Sequence, residues 1–249
     1  MARCLHAREG RMRTESMRAA SPEITYPPAP WALAGQMYCS LWWVPAERCR
    51  AVRDRELVPI EVAGRVCVTV GFVDYQQGSV LTYGELFVGM MVRHAGTGRS
   101  GSKVDLIWVD DATSQRGGRE LWGIPKELGR FELDHGAPGG GFSGRAWDDE
   151  GRLLIEARFG SGLGLPLRRR TRLSFPGLQR RSGLVHSVDA EIECSPRLCR
   201  ATHRIPADSP LAALGIAGTR PLMSLWAKDF RTRLPAAVPL PRRETLHDD

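Results

Sequence analysis

The stretch Gly117-Gly-Arg-Glu-Leu-Trp-Gly-Ile-Pro-Lys-Glu-Leu-Gly129 contains one of only three lysines in a chain with 35 basic residues. Read as an alternating strand, it places Trp122, Ile124, Lys126 and Leu128 in one row. A lysine that is buried in an apolar row has its charged form disfavoured, which lowers its pKa. The neutral amine is the form in which lysine attacks a carbonyl carbon. Lys126 is therefore the candidate nucleophile, and we expect its pKa to be lowered.

Strand-like runs flank this segment on both sides. Runs rich in β-branched and aromatic residues cover 36–44, 66–75, 81–94, 104–109, 130–133, 142–147, 153–159, 185–194 and 198–205. Gly- and Asp-rich turns separate several of them, which is typical of antiparallel meanders. Short helices are predicted at 45–56, with Pro45 in the first helical position, and at 209–215. Helical periodicity is too sparse for alternating βαβ units, so we predict a mainly β fold of the α+β class. We expect a closed antiparallel β-barrel with a few short helices.

Length and composition predict a single domain in an aqueous compartment. With 249 residues, 42% of them hydrophobic, and a mean hydropathy of −0.27, the chain can bury one sizeable core. No stretch is long and apolar enough to span a bilayer, so a membrane partner is not expected. We predict a disordered arm over 1–25, one domain over 26–240 and a tail over 241–249. Residues 1–21 hold no apolar core of signal-peptide length, so we expect a cytoplasmic protein.

The charge and the cysteines argue against several classes of protein. A net charge of +7 and a pI of about 9.4 are compatible with nucleic-acid binding. However, the arginines are spread along the chain, with local concentrations only at 168–172 and 180–181. We therefore do not expect a nucleic-acid partner; such binding would show as strongly salt-dependent association. The six cysteines include no Cys-x-x-Cys pair, so neither a metal site nor a disulfide framework is predicted.

The order of the strands around the lysine segment resembles that of the acetoacetate decarboxylase superfamily. The resemblance is carried by Gly118-Arg-Glu-Leu-Trp-Gly-Ile-Pro-Lys-Glu-Leu-Gly129, by Tyr83-Gly-Glu85 upstream, by the Asp110-Asp111 turn and by the closing stretch 206–214. It extends over residues 26–240. It implies a cone-like closed β-barrel whose interior lysine forms a Schiff base with a ketone. It also implies that no cofactor is needed and that the protein is a homo-oligomer.

The resemblance also implies roles for particular residues. Lys126 matches the Schiff-base lysine, and Glu85 matches a pocket carboxylate that can move protons. The protonated imine would serve as an electron sink for a small β- or α-keto acid. Arg93 and Arg119 are candidates for binding the substrate carboxylate only because they lie near these two residues in the sequence. Gln36, which falls where the family has a pocket arginine, and Trp122 complete the predicted substrate-binding set.

Three departures from the family pattern leave the reaction open. Glu127 stands where the decarboxylase has a second lysine, Gln36 replaces the pocket arginine, and Val70 falls near a second pocket glutamate. These changes weaken the case for decarboxylation and support an aldolase, dehydratase or cyclase on the same scaffold. A third alternative is a non-catalytic barrel that binds a keto acid or a lipid-like ligand, with Lys126 paired and inert.

Overall fold

The computed structural model describes residues 25–52, 54–137, 140–164 and 170–241. The predicted arm and tail therefore lie outside the described residues, apart from Thr25 and Pro241. The fold is mainly β, as predicted. The described residues form fourteen strands: β1 (Trp31–Pro45), β2 (Leu57–Pro59), β3 (Arg65–Tyr75), β4 (Tyr83–His94), β5 (Ser100–Val109), β6 (Lys126–Asp134), β7 (Phe142–Asp148), β8 (Leu153–Phe159), β9 (Leu163–Gly164), β10 (Thr171–Arg181), β11 (Leu184–Cys199), β12 (Ala201–Arg204), β13 (Met223–Leu234) and β14 (Val238–Pro239).

Seven of these strands close into a barrel. Hydrogen bonds connect β5, β10, β11, β13, β1, β3 and β4 in that order, and β4 pairs with β5 to complete the ring. The pairs are antiparallel except for the contact between β5 and β10, which is parallel. Beyond β5 the sheet continues through β6, β7, β8 and β12. These four strands form an outer layer that packs on one side of the barrel.

The barrel wall is buried on both faces where the outer layer covers it. On β4, Tyr83 and Phe87 belong to the apolar cluster inside the barrel, whereas Leu86 and Val88 belong to the cluster beneath the outer layer. All eight residues of β4 from Tyr83 to Met90 are consequently buried. A strand buried on both faces loses the alternation of polar and apolar residues. Glu85 is the one charged residue in this buried run. It alternates with Tyr83 and Phe87 along β4, so its side chain points into the barrel, in what we call the inward row.

The segment before Lys126 is helical, which corrects the predicted strand. Residues Ala112–Trp122 form helix α1, with Asp111 as N-cap and Gly123 in the left-handed conformation at the C-terminus. The helix connects β5 to β6, which are parallel neighbours, and such a connection requires a crossover. Only Lys126 and the residues after it are in a strand. The alternating row that joined Trp122 and Ile124 to Lys126 was therefore wrong.

Two short 3-10 helices correspond to the other predicted helices. The helix expected over 45–56 is a 3-10 helix at Ala46–Val52, and Pro45 ends β1 instead of opening the helix. The second is Pro210–Leu214, capped by the Ser209 hydroxyl and ended by Gly215. In the described part of the chain, no helix is long and apolar enough to cross a membrane.

Candidate active site

Lys126 is buried inside the barrel, where three oxygen atoms surround its amine. The residue is 4% exposed. Its Nζ donates to Glu85 Oε2 at 2.9 Å, to Ser114 Oγ at 2.9 Å and to the Tyr83 hydroxyl at 3.1 Å. An ammonium group has three hydrogens to donate, so this arrangement satisfies it fully. The burial and the ion pair together make Lys126 the centre of the candidate site.

Glu85 is held in place by a second tyrosine. Its other oxygen, Oε1, accepts a hydrogen bond from the Tyr75 hydroxyl at 3.1 Å. Tyr75 and Tyr83 pack against each other with ring centroids 4.4 Å apart. Glu85 itself is 6% exposed. Strands β3 and β4 are adjacent and pair Tyr75 with Tyr83 directly. These two neighbouring strands therefore supply the carboxylate and both phenols.

Helix α1 closes the site from the other side. Ser114, in its first turn, is fully buried and points its hydroxyl at Lys126. A Cβ on Gly118 would lie 2.7 Å from Cδ of Lys126, so the absence of a side chain there lets the lysine stem cross the helix. Gly117 is likewise packed against the ring of Trp31, 2.6 Å from an imagined Cβ. The two glycines weaken the helix locally but are required by its packing.

The electrostatics of the resting site differ from the prediction. Burial is the largest single influence and lowers the pKa of Lys126, but the charge and hydrogen bonds of Glu85 and Tyr83 together raise that pKa by more, so the net shift is upward. The expectation of a lowered pKa was therefore wrong for the resting protein. Burial raises the pKa values of both Tyr75 and Tyr83, so the two phenols are neutral. The site at rest is an ammonium–carboxylate pair enclosed by neutral hydroxyl groups.

Two of the predicted substrate-binding residues support the site from outside. Arg119 donates from Nε to the backbone oxygen of Lys126 at 2.6 Å, and its guanidinium also pairs with Glu127 at 2.6 Å. Trp122 is 1% exposed, packs edge-on against Trp31 and donates its indole N–H to the backbone oxygen of Pro235. Both side chains hold the β6 and α1 backbones in position, and neither one contacts the Lys126 amine.

Other residues singled out in the sequence lie away from the amine. Gln36 bonds to Trp226 and to both the backbone and side chain of Asp229, at a bulge where β1 pairs with β13. Arg93 is exposed on β4, eight residues beyond Glu85, or roughly 27 Å along an extended strand. Val70 is buried in the cluster beneath the outer layer. The Glu127 side chain is 61% exposed, so it points away from the Lys126 amine.

Ser114, Tyr75 and Gly118 are parts of the site that the sequence-based prediction missed. Tyr83 had been noted only as part of the Tyr83-Gly-Glu85 motif. An N-cap aspartate at Asp111 and a terminating glycine at Gly123 were signals that could have identified α1, and with it Ser114. Tyr75 could be found only from strand pairing, because it lies ten residues before Glu85 in the sequence.

Two surface grooves lie elsewhere on the molecule. One, of about 400 Å³, crosses charged side chains of the outer layer, including Glu132, Arg145 and Glu156. The other, of about 330 Å³, lies beside β2 and includes Arg93. Neither groove includes Lys126. The candidate site is therefore identified by the buried polar residues around Lys126 and not by the size of a groove. Within the described ranges, no group of three His, Cys, Asp or Glu side chains could hold a metal ion.

Comparison with known proteins agrees with this architecture. The structure is similar to that of acetoacetate decarboxylase from Legionella pneumophila subsp. pneumophila str. Philadelphia 1, with a TM-score of 0.69 and 16% identity over 91% of this chain and 93% of that one. An acetoacetate decarboxylase-like enzyme from Sphingomonas wittichii RW1 gives a TM-score of 0.63 and 17% identity over 86% and 94%. The enduracididine biosynthesis enzyme MppR in complex with pyruvate gives 0.59 and 19% over 86% and 91%.

At these identities the similarity establishes the fold. No curated protein matches the sequence. The sequence model of the acetoacetate decarboxylase family matches residues 15–213, which is most of the chain. The chain therefore belongs to the acetoacetate decarboxylase family.

Proposed function

We propose that the protein is a carbon–carbon lyase that forms a Schiff base between Lys126 and a small keto acid. The observation that carries this proposal is the buried amine of Lys126, which lies 2.9 Å from the carboxylate of Glu85. A buried lysine beside an acid has both the nucleophile and the proton acceptor that imine formation needs. The solved structure of MppR with bound pyruvate supports a keto acid as the ligand of this fold.

The first step is transfer of a proton from the Lys126 ammonium to Glu85. This transfer converts a buried ion pair into a buried neutral pair, and the low-dielectric surroundings reduce its cost because they disfavour both charges. The first turn of α1, which supplies Ser114, carries the partial positive charge of a helix N-terminus and also opposes the ammonium form. The raised pKa of Lys126 thus describes the resting protein, and Glu85 is the group that must take the proton.

The amine nitrogen then attacks the ketone carbon, and the carbonyl oxygen leaves as water once it has received two protons. Glu85 and the Tyr83 hydroxyl lie next to the nitrogen and can deliver these protons. In a β-keto acid, the bond to the carboxylate breaks and its electron pair flows to the iminium nitrogen, which releases CO₂ and leaves an enamine. Protonation of the enamine carbon and hydrolysis of the imine return the ketone and the free amine.

A second candidate is condensation or dehydration chemistry on the same imine. The side chain of Glu127 faces solvent, and Gln36 lies at a bulge away from Lys126, so neither residue supplies the cation expected of a decarboxylase. MppR has also been solved with the condensation product of pyruvate and imidazole 4-carboxaldehyde. A third candidate is a non-catalytic keto-acid-binding barrel, in which the ion pair of Lys126 with Glu85 never gives up its proton.

Borohydride trapping distinguishes these candidates. The protein is incubated with acetoacetate or pyruvate, reduced and digested, and its three lysines are compared by mass spectrometry. We expect an adduct on Lys126 and not on Lys103 or Lys228. Lys126→Ala should abolish the adduct, and Lys228→Ala, the matched control, should retain it.

The chemical form of the adduct reports the reaction. An isopropyl group from acetoacetate shows that CO₂ left before reduction. An adduct that keeps its carboxylate, together with deuterium uptake into the pyruvate methyl group, favours condensation chemistry. If no keto acid labels Lys126, the Schiff-base proposal fails and the binding barrel remains.

A further inference from the structure

The interior of the barrel extends well beyond Lys126. On β4 the inward row that contains Glu85 continues through Phe87, Gly89 and Met91. On β3 the neighbouring inward positions are Gly71, which pairs with Phe87, and Thr69, which pairs with Gly89. At about 3.4 Å per residue, Met91 lies roughly 20 Å along the strand from Glu85. The inward rows therefore form a path of side chains that leads from the amine to the far end of the barrel.

That far end is open to solvent. Trp43 and Met91 are 38% and 40% exposed, although both belong to inward rows. Their outward neighbours Trp42 and Met90 are only 2% and 1% exposed, because the outer cluster covers them. An inward side chain can be exposed only where the barrel has a mouth. Helix α1 packs against Trp31, at the opposite end of β1, so the mouth and the helix lie at different ends.

Small residues alternate with one large ring between the amine and the mouth. Gly71 and Gly89 have no side chain, and Cys39 on β1 pairs with Gly71. A Cβ on Gly71 would lie 2.4 Å from the Phe87 ring, so this ring occupies the space above the glycine. Phe87 is thus the large apolar side chain next along the inward row from Glu85, and the positions that follow it are small.

The path carries no charge. Between Glu85 and the mouth, every inward residue of β4 and β3 is uncharged, and the first charged residues of these rows are Arg93 and Arg65 at the rim. None of the arginines whose side-chain burial the structure describes is buried. A second carboxylate or a phosphate on the substrate would therefore enter this path without a partner, at a large desolvation cost. Transfer of a hydrocarbon chain from water to the same apolar surface would be favourable.

We propose that the substrate is a keto acid with an apolar chain, whose ketone reaches Lys126 while the chain lies along the inward rows toward the mouth. This inference rests on the proposed Schiff-base chemistry and adds the substrate class. Each methylene that leaves water should strengthen binding about fourfold, provided that it is fully buried. Chain length should therefore select among keto acids that share the same reacting end.

Competitive trapping tests this inference. Acetoacetate, 3-oxohexanoate and 3-oxooctanoate are mixed at equal concentration with the protein and reduced with borohydride, and their adducts on the Lys126 peptide are compared. We expect the ratio of long-chain to acetoacetate adduct to rise about fourfold per added methylene. A flat or falling ratio, with the acetoacetate adduct present, overturns the substrate class and leaves the proposed function intact. If no acid labels Lys126, both proposals are lost.

A blocked path gives an independent test. Thr69→Trp places a large ring beside Gly89 and should remove the dependence on chain length. Thr202→Trp makes the same substitution at an exposed position of β12 and should preserve that dependence. Met91→Trp, at the exposed mouth, serves if Thr69→Trp does not fold. Retention of the full chain-length dependence in both Thr69→Trp and Met91→Trp would contradict the proposed path.

Discussion

The Lys126–Glu85 pair and the charge ladder of the outer layer place similar ion pairs in opposite surroundings. In the ladder, Glu132 faces Arg145 across β6 and β7, and Arg145 faces Glu156 across β7 and β8, each at 3.5 Å. Exposed pairs of this kind contribute at most about 1 kcal/mol each, because water screens them. The buried pair instead loses several kcal/mol of hydration per ion. Stability does not explain why a charged pair lies inside the barrel, whereas the proton transfer that we propose for this pair would.

The largest expected effect comes from breaking the buried pair. Lys126→Met leaves the Glu85 carboxylate buried without its cation, and we expect the free energy of unfolding to fall by about 3–5 kcal/mol. The double variant Lys126→Met/Glu85→Leu should recover most of that loss, because apolar residues of similar size often replace a buried pair without cost. Urea denaturation of the three proteins measures both changes. No recovery in the double variant would show that the pair itself stabilises the barrel.

The next effect concerns the protonation of Lys126. Because its pKa is raised, the amine is an ammonium at neutral pH, and its labelling by reductive methylation should increase as the pH rises above neutral. Glu85→Gln removes the charge that raises the pKa and keeps the burial that lowers it, so the labelling profile should move to lower pH. Lys103 and Lys228 serve as internal references in the same digest. If the pH dependence of Lys126 labelling is unchanged in Glu85→Gln, then Glu85 is not the group that raises the pKa of Lys126.

A smaller effect is expected at the helix that covers the amine. Gly118→Ala gains about 1 kcal/mol of helix propensity but forces a Cβ against the lysine stem, and overpacking costs about 1–3 kcal/mol. We expect a net loss of about 1 kcal/mol and a changed labelling rate at Lys126. Gly117→Ala, which crowds Trp31 instead, is the matched control: it should lose similar stability without altering the labelling. If Lys126 is labelled at the same rate in both variants, then contact between residue 118 and the lysine stem does not control the reactivity of the amine.

The smallest effect is expected in the exposed ladder. Arg145→Ala removes the central cation, yet its side chain is 49% exposed, so the free energy of unfolding should fall by less than about 1 kcal/mol. Moderate salt should reduce even this difference, since screening weakens the exposed pairs. Lys126→Met should keep its large deficit at the same salt concentration. If both variants lose a similar free energy of unfolding, then the buried pair and the exposed ladder do not differ in their contribution to stability.

Much of the architecture was predictable because its signals are local. The strand runs and their turns predicted a closed, mainly antiparallel barrel, and each predicted run outside the lysine segment falls largely within observed strands. No predicted run covers β10 or β13, which are two of the seven barrel strands. The helix before Lys126 was missed because Gly117 and Gly118 reduce its intrinsic propensity. Those glycines are explained by contacts with Trp31 and Lys126 that only the folded chain makes. In this helix, tertiary packing overrides the local preference.

The sequence by itself determined the family, the barrel, and the choice of Lys126 and Glu85 as the pair to examine. Lys126 was chosen because the chain has only three lysines, and Glu85 because it matches a pocket carboxylate of the family. Only the tertiary structure decided what surrounds them. Arg93, Arg119, Gln36 and Trp122 were chosen by proximity or alignment in sequence, and folding directs all four side chains away from the amine. Ser114 and Tyr75 take their places because contacts in a closed barrel depend on strand register and on the crossover helix, and neither is written in any short stretch of sequence.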